Sequence, residues 1–97
     1  MTKAGVIAEI AKKTGLSRAD ARLAVEALTQ SIKGVVARGD KVHLRGFGSF
    51  LTQKRARKIA RNISQNTALI VEEHYVPSFK PAKAFSKKVK ESMNNSI

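Results

Sequence analysis

Residues 53 to 62 read QKRARKIARN, with cations at Lys54, Arg55, Arg57, Lys58 and Arg61 and no acid. Taken as a strand, Lys54 and Lys58 project to one face and Arg55, Arg57 and Arg61 to the other, because side chains alternate. Such a strand has no place inside a core, since each buried unpaired cation costs several kcal/mol. Length presses the same point. Strand from 48 to 61 extends about 45 Å at roughly 3.3 Å per residue, whereas a compact chain of this size has a radius of gyration of about 12 to 13 Å. The segment is expected to leave the folded body as a hairpin arm. An isolated ribbon is marginally stable in water, so something negative is expected to order it.

The rest of the chain reads as a body for that arm. Thr2 caps a first helix over 2 to 14, with Val6, Ile7, Ile10 and Ala11 on one face and Gly15 as the left-handed stop. Ser17 followed by Asp20 is a capping-box pattern. From there Ala21, Val25, Leu28, Ile32, Val35 and Val36 keep helical spacing over 18 to 38, about 30 Å of helix. The period then changes. Lys41, His43 and Arg45 alternate with Val42 and Leu44 as a short half-buried strand, Gly46-Phe47-Gly48 turns, and Phe50 and Leu51 open the next strand. Asn62 to Thr67 suit a hairpin tip, and Ala68 to Val71 form the return strand. Glu72 and Glu73 are read as neighbours on opposite strand faces. Val76-Pro77 and Lys80-Pro81 punctuate the exit, and Pro81 is placed at the first position of a last helix with Ala82, Phe85, Val89 and Met93 on one face. The expected organisation is one α+β domain over 1–97: a helical body at 1–40, sheet and arm at 41–79, and a C-terminal helix at 81–93.

Charge narrows the partner. Lys and Arg number 19 against 7 Asp and Glu, a net charge of +12, while apolar content of 42% is ample for a folded chain. An excess of that size points to a polyanion, with nucleic acid ahead of a membrane surface. The tip places an apolar side chain, Ile63, between polar neighbours, where it can act as a wedge between base steps. A paired basic ribbon also matches the width of a DNA groove, and arginine in a narrow minor groove meets enhanced negative potential.

Three stretches then act together: GFGSF at 46 to 50, Arg61-Asn62 at the tip, and VPSFKPAKAF at 76 to 85. With them the chain resembles the HU/integration host factor family of bacterial histone-like proteins, from Thr2 to Lys90. The resemblance implies an intertwined homodimer, or a heterodimer, whose fold has two N-terminal helices, a three-stranded antiparallel sheet with a long protruding β-hairpin arm, and a C-terminal helix. It implies that two arms wrap the minor groove and bend the duplex, with little sequence preference in HU. Phosphate and minor-groove contacts fall on Arg55, Lys58 and Arg61, and Asn62 lies beside the intercalating position. That position is ordinarily proline in the family and is Ile63 here, which keeps an apolar wedge but loses proline's rigidity. Asn66 stands at a usual glycine, as do Ala60 and Ala82.

Lys80, Lys83, Lys87, Lys88 and Lys90 cluster about the last helix, whose N-terminus can receive a phosphate. Lys3 stands likewise at the start of the first helix, and the resemblance supports Lys3 and Lys83 as phosphate contacts. Phe47, Phe50, Phe79 and Phe85 sit among glycines and small residues at strand and helix starts, which favours core over base stacking. The resemblance puts these phenylalanines in the dimer interface.

Other chemistry finds no purchase. There is no Cys, so no disulfide or thiolate site, and His43 and His74 have no neighbour at metal-ligand spacing. No nucleophile elbow, phosphate loop or paired carboxylates occur. The expected function is therefore non-enzymatic binding and bending of duplex DNA, without cofactor, metal, small-molecule substrate or membrane partner. Bent, nicked or flexible duplex is the expected preference, in a cytoplasmic, nucleoid-associated protein with no signal-peptide pattern at the start. The alternatives are a sequence-specific bender of integration host factor type and an RNA- or single-strand-binding protein. The latter needs stacking aromatics along the basic path, and residues 51 to 74 contain none.

Overall fold

A computed structural model of the 97-residue chain describes residues 1–62, 64, 65 and 67–94. It contains two compact units, Met1–Gly34 and Val35–Ile97. In the first, α1 (Lys3–Thr14) is followed by the greater part of α2 (Arg18–Ala37). Gly15 ends α1 at φ 78°, and its N–H donates to the Ala11 carbonyl at 3.0 Å. Only glycine takes that conformation without crowding Cβ against a carbonyl. Thr2 is the N-cap residue, yet its side chain makes no capping hydrogen bond. Its carbonyl accepts the Val6 N–H at 3.1 Å, and the remaining end groups lie where water reaches them. The second cap is half of a box. Ser17 Oγ accepts the Asp20 N–H at 3.1 Å, while Asp20 is one methylene shorter than the glutamate that usually returns the bond.

The second unit carries β1 (Val42–Leu44), β2 (Gly48–Arg55), β3 (Lys58–Asn62), β4 (Thr67–Val71), β5 (His74–Pro81) and α3 (Lys83–Asn94). The strands form two sheets. One has the order β1-β2-β5 and the other is the β3–β4 ribbon alone. All pairings are antiparallel: Val42 faces Phe50, Phe50 faces Phe79, and Ile59 faces Ile70. This α+β architecture agrees with the sequence reading, with three differences.

First, the strand expected to run unbroken from 48 to 61 stops at Arg55 and resumes at Lys58, while the return path breaks at Glu72 and Glu73. The two breaks lie side by side, so the sheet changes into the ribbon at one level. Second, Pro77 lies inside β5, opposite Thr52. Proline is tolerated there because β5 is an edge strand and the missing N–H can face away from β2. Third, Pro81 does not open the last helix. It is the last residue of β5, paired with Gly48. The Ala82 N–H donates to the Phe47 carbonyl at 2.8 Å, holding the chain to the sheet for one more residue before α3 starts at Lys83.

Packing in the second unit centres on the four phenylalanines. Phe50 and Phe79 have ring centroids 4.8 Å apart, and Phe47 stacks on Phe85 at 5.3 Å with an interplanar angle of 14°. Both separations lie in the favourable range for aromatic pairs. Gly48 makes this fit possible: a Cβ there would stand 2.5 Å from the Lys80 carbonyl oxygen and 2.6 Å from the Phe79 ring. Yet little is fully enclosed. Among the described residues the buried apolar side chains are Ile7, Ala21 and Val36, and Phe47 remains 43% exposed. Leu23, Leu28, Val89 and Met93 are exposed as well.

Gly48→Ala is expected to destabilise the fold by about 3 kcal/mol or more, because backbone and ring must both give way. Gly15→Ala, where nothing stands within 4 Å of the added Cβ, meets only left-handed strain of about 1 kcal/mol. Urea unfolding at one protein concentration checks the order, and equal losses would contradict the packing at Gly48.

Candidate nucleic-acid interface

The basic segment is distributed over three structural settings. Lys54 and Arg55 end β2, Arg57 occupies the break, and Lys58 and Arg61 lie on β3. All five are exposed. Asn62 closes β3 opposite Thr67, and the proposed wedge Ile63 lies outside the described residues, as does Asn66. Two of the five cations have partners within the chain. Lys54 Nζ stands 3.2 Å from Glu73 Oε1, and Arg57 Nε 3.8 Å from Glu72 Oε1. The acids read as strand neighbours on opposite faces are therefore in the break, where each reaches across to a cation of the outgoing chain. Arg55, Lys58 and Arg61 form no ion pair among the described residues.

The ribbon differs from the expected basic finger in composition. Its ten residues hold two cations, no acid and six apolar side chains. Cross-strand partners share a face. Ile59 and Ile70 therefore lie together beside Arg61 and Ala68, and Ala60 with Leu69 beside Lys58 and Val71. Ile59 is 71% exposed and Ile70 54%. The sequence reading named Ala68 to Val71 as apolar but not the exposed pair that β3 completes. The signal was available: Asn62 with Thr67 and Ile59 with Ile70 are symmetric about the tip, so the register follows once the hairpin is centred.

The body cations form two groups. Lys80 is the penultimate residue of β5, Lys83 opens α3, and Lys87 lies one turn on, loosely paired with Glu91 at 3.9 Å. Lys3 opens α1 in the other unit and is held by Glu26, Nζ to Oε1 3.0 Å. Of the expected interface phenylalanines, Phe47 joins Phe85, Val89 and Met93 around an open apolar depression. His43 Nδ1 lies 2.7 Å from Ser49 Oγ and His74 Nδ1 2.9 Å from the Glu72 carbonyl. Among the described residues no cluster of three or more potential metal ligands occurs, and no helix is long and apolar enough to cross a membrane.

The model of the family described as bacterial DNA-binding protein matches residues 1–90. The chain belongs to the HU/integration host factor family. It is 38% identical over 90 residues to DNA-binding protein HU of Thermotoga maritima, a match covering 93% of this chain and 100% of that one. Integration host factor subunit beta of Pseudomonas entomophila is 37% identical over 92 residues, 94% of each chain. Among solved structures, an Anabaena HU–DNA cocrystal structure has a TM-score of 0.87 at 32% identity, covering 92% of this chain and 97% of its own. HU from Thermotoga maritima has a TM-score of 0.65 at 30% identity, with 92% and 98% covered.

The ion pairs at the break are more than half exposed on both partners, 52% and 57% for Lys54 and Glu73. Exposed pairs contribute at most about 1 kcal/mol. Glu72→Gln and Glu73→Gln are accordingly expected to change unfolding free energy by less than about 1 kcal/mol each, and a larger loss in urea unfolding would make the pairs structural.

Proposed function

We propose that this protein binds and bends duplex DNA with little sequence preference. In this reading a β3–β4 arm enters the minor groove and the whole chain, 1–97, works as one architectural unit. The observation that carries the reading is the acid-free ribbon, with Arg55, Lys58 and Arg61 at its base and along it forming no ion pair among the described residues. Family membership supports it, as does the likeness to an HU structure crystallised with DNA. Uncompensated cations displace condensed counterions from phosphate, so binding draws on salt release without reading bases. Arg61 then follows the groove, Asn62 borders the step to be opened, and Ile63 enters it. Unstacking that step costs a few kcal/mol, which the longer wrapped contact offsets. Lys3, Lys80, Lys83 and Lys87 take phosphates of the bent flanks, Lys83 with the free N–H groups at the start of α3.

The working species is a dimer. A 97-residue chain whose described core encloses three apolar side chains, and whose Phe47, Val89 and Met93 stay open, has surface left for a second subunit. Two copies of this chain form that dimer, with a related chain as the alternative partner, and the site of action is the nucleoid in the cytoplasm.

Fluorescence transfer across a short nicked duplex tests the mechanism. Ile63→Ala is expected to reduce bending more than affinity, while Arg61→Ala weakens both. Log affinity should fall against log salt with a slope of about −0.9 per phosphate neutralised. Nicked duplex should bind more tightly than intact duplex, because part of the bending cost is already met. Equal binding to both, together with a sharp motif from random-sequence selection, would replace this reading with the sequence-specific one.

A further inference from the structure

The face of the three-stranded sheet opposite Phe50 and Phe79 carries a transverse row of polar side chains. His43 on β1 faces Ser49 on β2, and Ser49 faces Lys80 on β5. Cross-strand partners share a face, so the three stand in line, with His43 and Lys80 exposed and Ser49 half-buried. His43 Nδ1 and Ser49 Oγ are 2.7 Å apart, a hydrogen bond whose direction depends on the proton count of the ring. A neutral ring with its hydrogen on Nε2 accepts the Ser49 O–H at Nδ1. A protonated ring has hydrogen on both nitrogens and can only donate, so Nδ1–H points at Oγ and the hydroxyl hydrogen turns outward. One proton thus adds a positive charge and releases a donor, in line with the Lys80 ammonium.

The counter-charge for that proton has to come from outside. Lys41 and Arg45 flank His43 in the chain, Lys80 lies beyond Ser49, and no residue of β1, β2 or β5 is acidic. The next pair on this face, Leu51 with Ser78, carries no charge. Asp40, the carboxylate closest to His43 in the chain, accepts the Lys41 N–H at 2.9 Å. β1 is an edge strand and pairs with β2 alone. A phosphate brought to the row supplies what the sheet lacks, and by linkage proton and phosphate then favour each other. His74 has no such arrangement. Its Nδ1 faces the Glu72 carbonyl, which only accepts, so that nitrogen already carries hydrogen and protonation frees no donor.

We propose that His43, Ser49 and Lys80 form a proton-gated phosphate seat, so that the protein holds duplex more tightly as the pH falls. This deepens the DNA-binding reading and rests on it. The same chemistry is offered by the duplex backbone and by free phosphate. Binding takes up a proton, so the gain is present at the acid end of the ordinary histidine range, about pH 5 to 8, and is lost toward its alkaline end.

Affinity for one nicked duplex at about pH 5.5 and about pH 7.5, at constant ionic strength in phosphate-free buffer, tests it. The wild-type chain is expected to bind about tenfold more tightly at the acid end, the size of one charge-assisted hydrogen bond. His43→Gln keeps a polar but uncharged side chain and should hold the gain to about threefold or less. Ser49→Ala, which keeps the ring and loses the hydroxyl, should do the same, whereas His74→Gln should retain the full gain. The proton NMR signal of the His43 ring gives a second reading, and its titration midpoint should rise when duplex is added. A rise with inorganic phosphate as well extends the seat to the free ion, and a rise with duplex only confines it to the backbone. Equal wild-type affinity at both pH values, a full gain in His43→Gln or Ser49→Ala, a gain lost in His74→Gln, or a midpoint moved by neither ligand overturns the inference while leaving DNA binding intact. Absence of duplex binding at both pH values would instead remove the DNA-binding reading.

Discussion

The eight-residue ladder between β2 and β5 is the constraint from which the second unit takes its form. It pairs Gly48 with Pro81 at one end and Arg55 with His74 at the other, carrying the chain toward the ribbon and back in one fixed register. A slip of one residue would turn every side chain of the slipping strand to the opposite face. Phe50 and Phe79, which face each other, would then part to opposite faces and the aromatic cluster would be lost. Gly48 reinforces the register, because only a residue without Cβ lets the Phe79 ring and the Lys80 carbonyl come so close. The position of β3 and β4 thus depends on packing at the far end of the ladder.

Above that ladder the balance of forces changes. Below Arg55 the strands are held by aromatic burial as well as by backbone pairing. Beyond Lys58 the side chains are mostly exposed, and the two strands pair only with each other. The ion pairs at Lys54–Glu73 and Arg57–Glu72 mark the boundary. They neutralise cations at the base, while Arg55, Lys58 and Arg61 form no ion pair among the described residues. Uncompensated positive charge thus stands on a segment whose own pairing is only marginally stabilising.

Much of this was legible in the residues. The helices announced themselves through period and punctuation, and Gly15 took the left-handed stop assigned to it. The acid-free run at 53 to 62 falls, as read, on exposed strand ends and the base of the ribbon, and the phenylalanines clustered as expected. What escaped was set by tertiary context. Nothing within 53 to 61 breaks a strand locally, since the run has neither glycine nor proline, so the interruption at residues 56 and 57 had no sequence signal. Pro77 and Pro81 read as punctuation because their tolerance in a strand depends on that strand lying at an edge. Glu72 and Glu73 found cations only because the register of the returning chain brought them level.

Those two prolines bear on solubility. In an antiparallel ladder every second residue turns its N–H away from the partner strand. Pro77 and Pro81, four apart, occupy such outward positions without disturbing the pairing to β2. Along the outer margin of β5 the donors that another chain's strand would need are thus missing at two of three alternate sites, with Phe79 between them. Proline at an exposed margin is one of the ways sheets resist growth by strand addition. This margin gives a neighbouring copy no continuous template on which to extend the sheet.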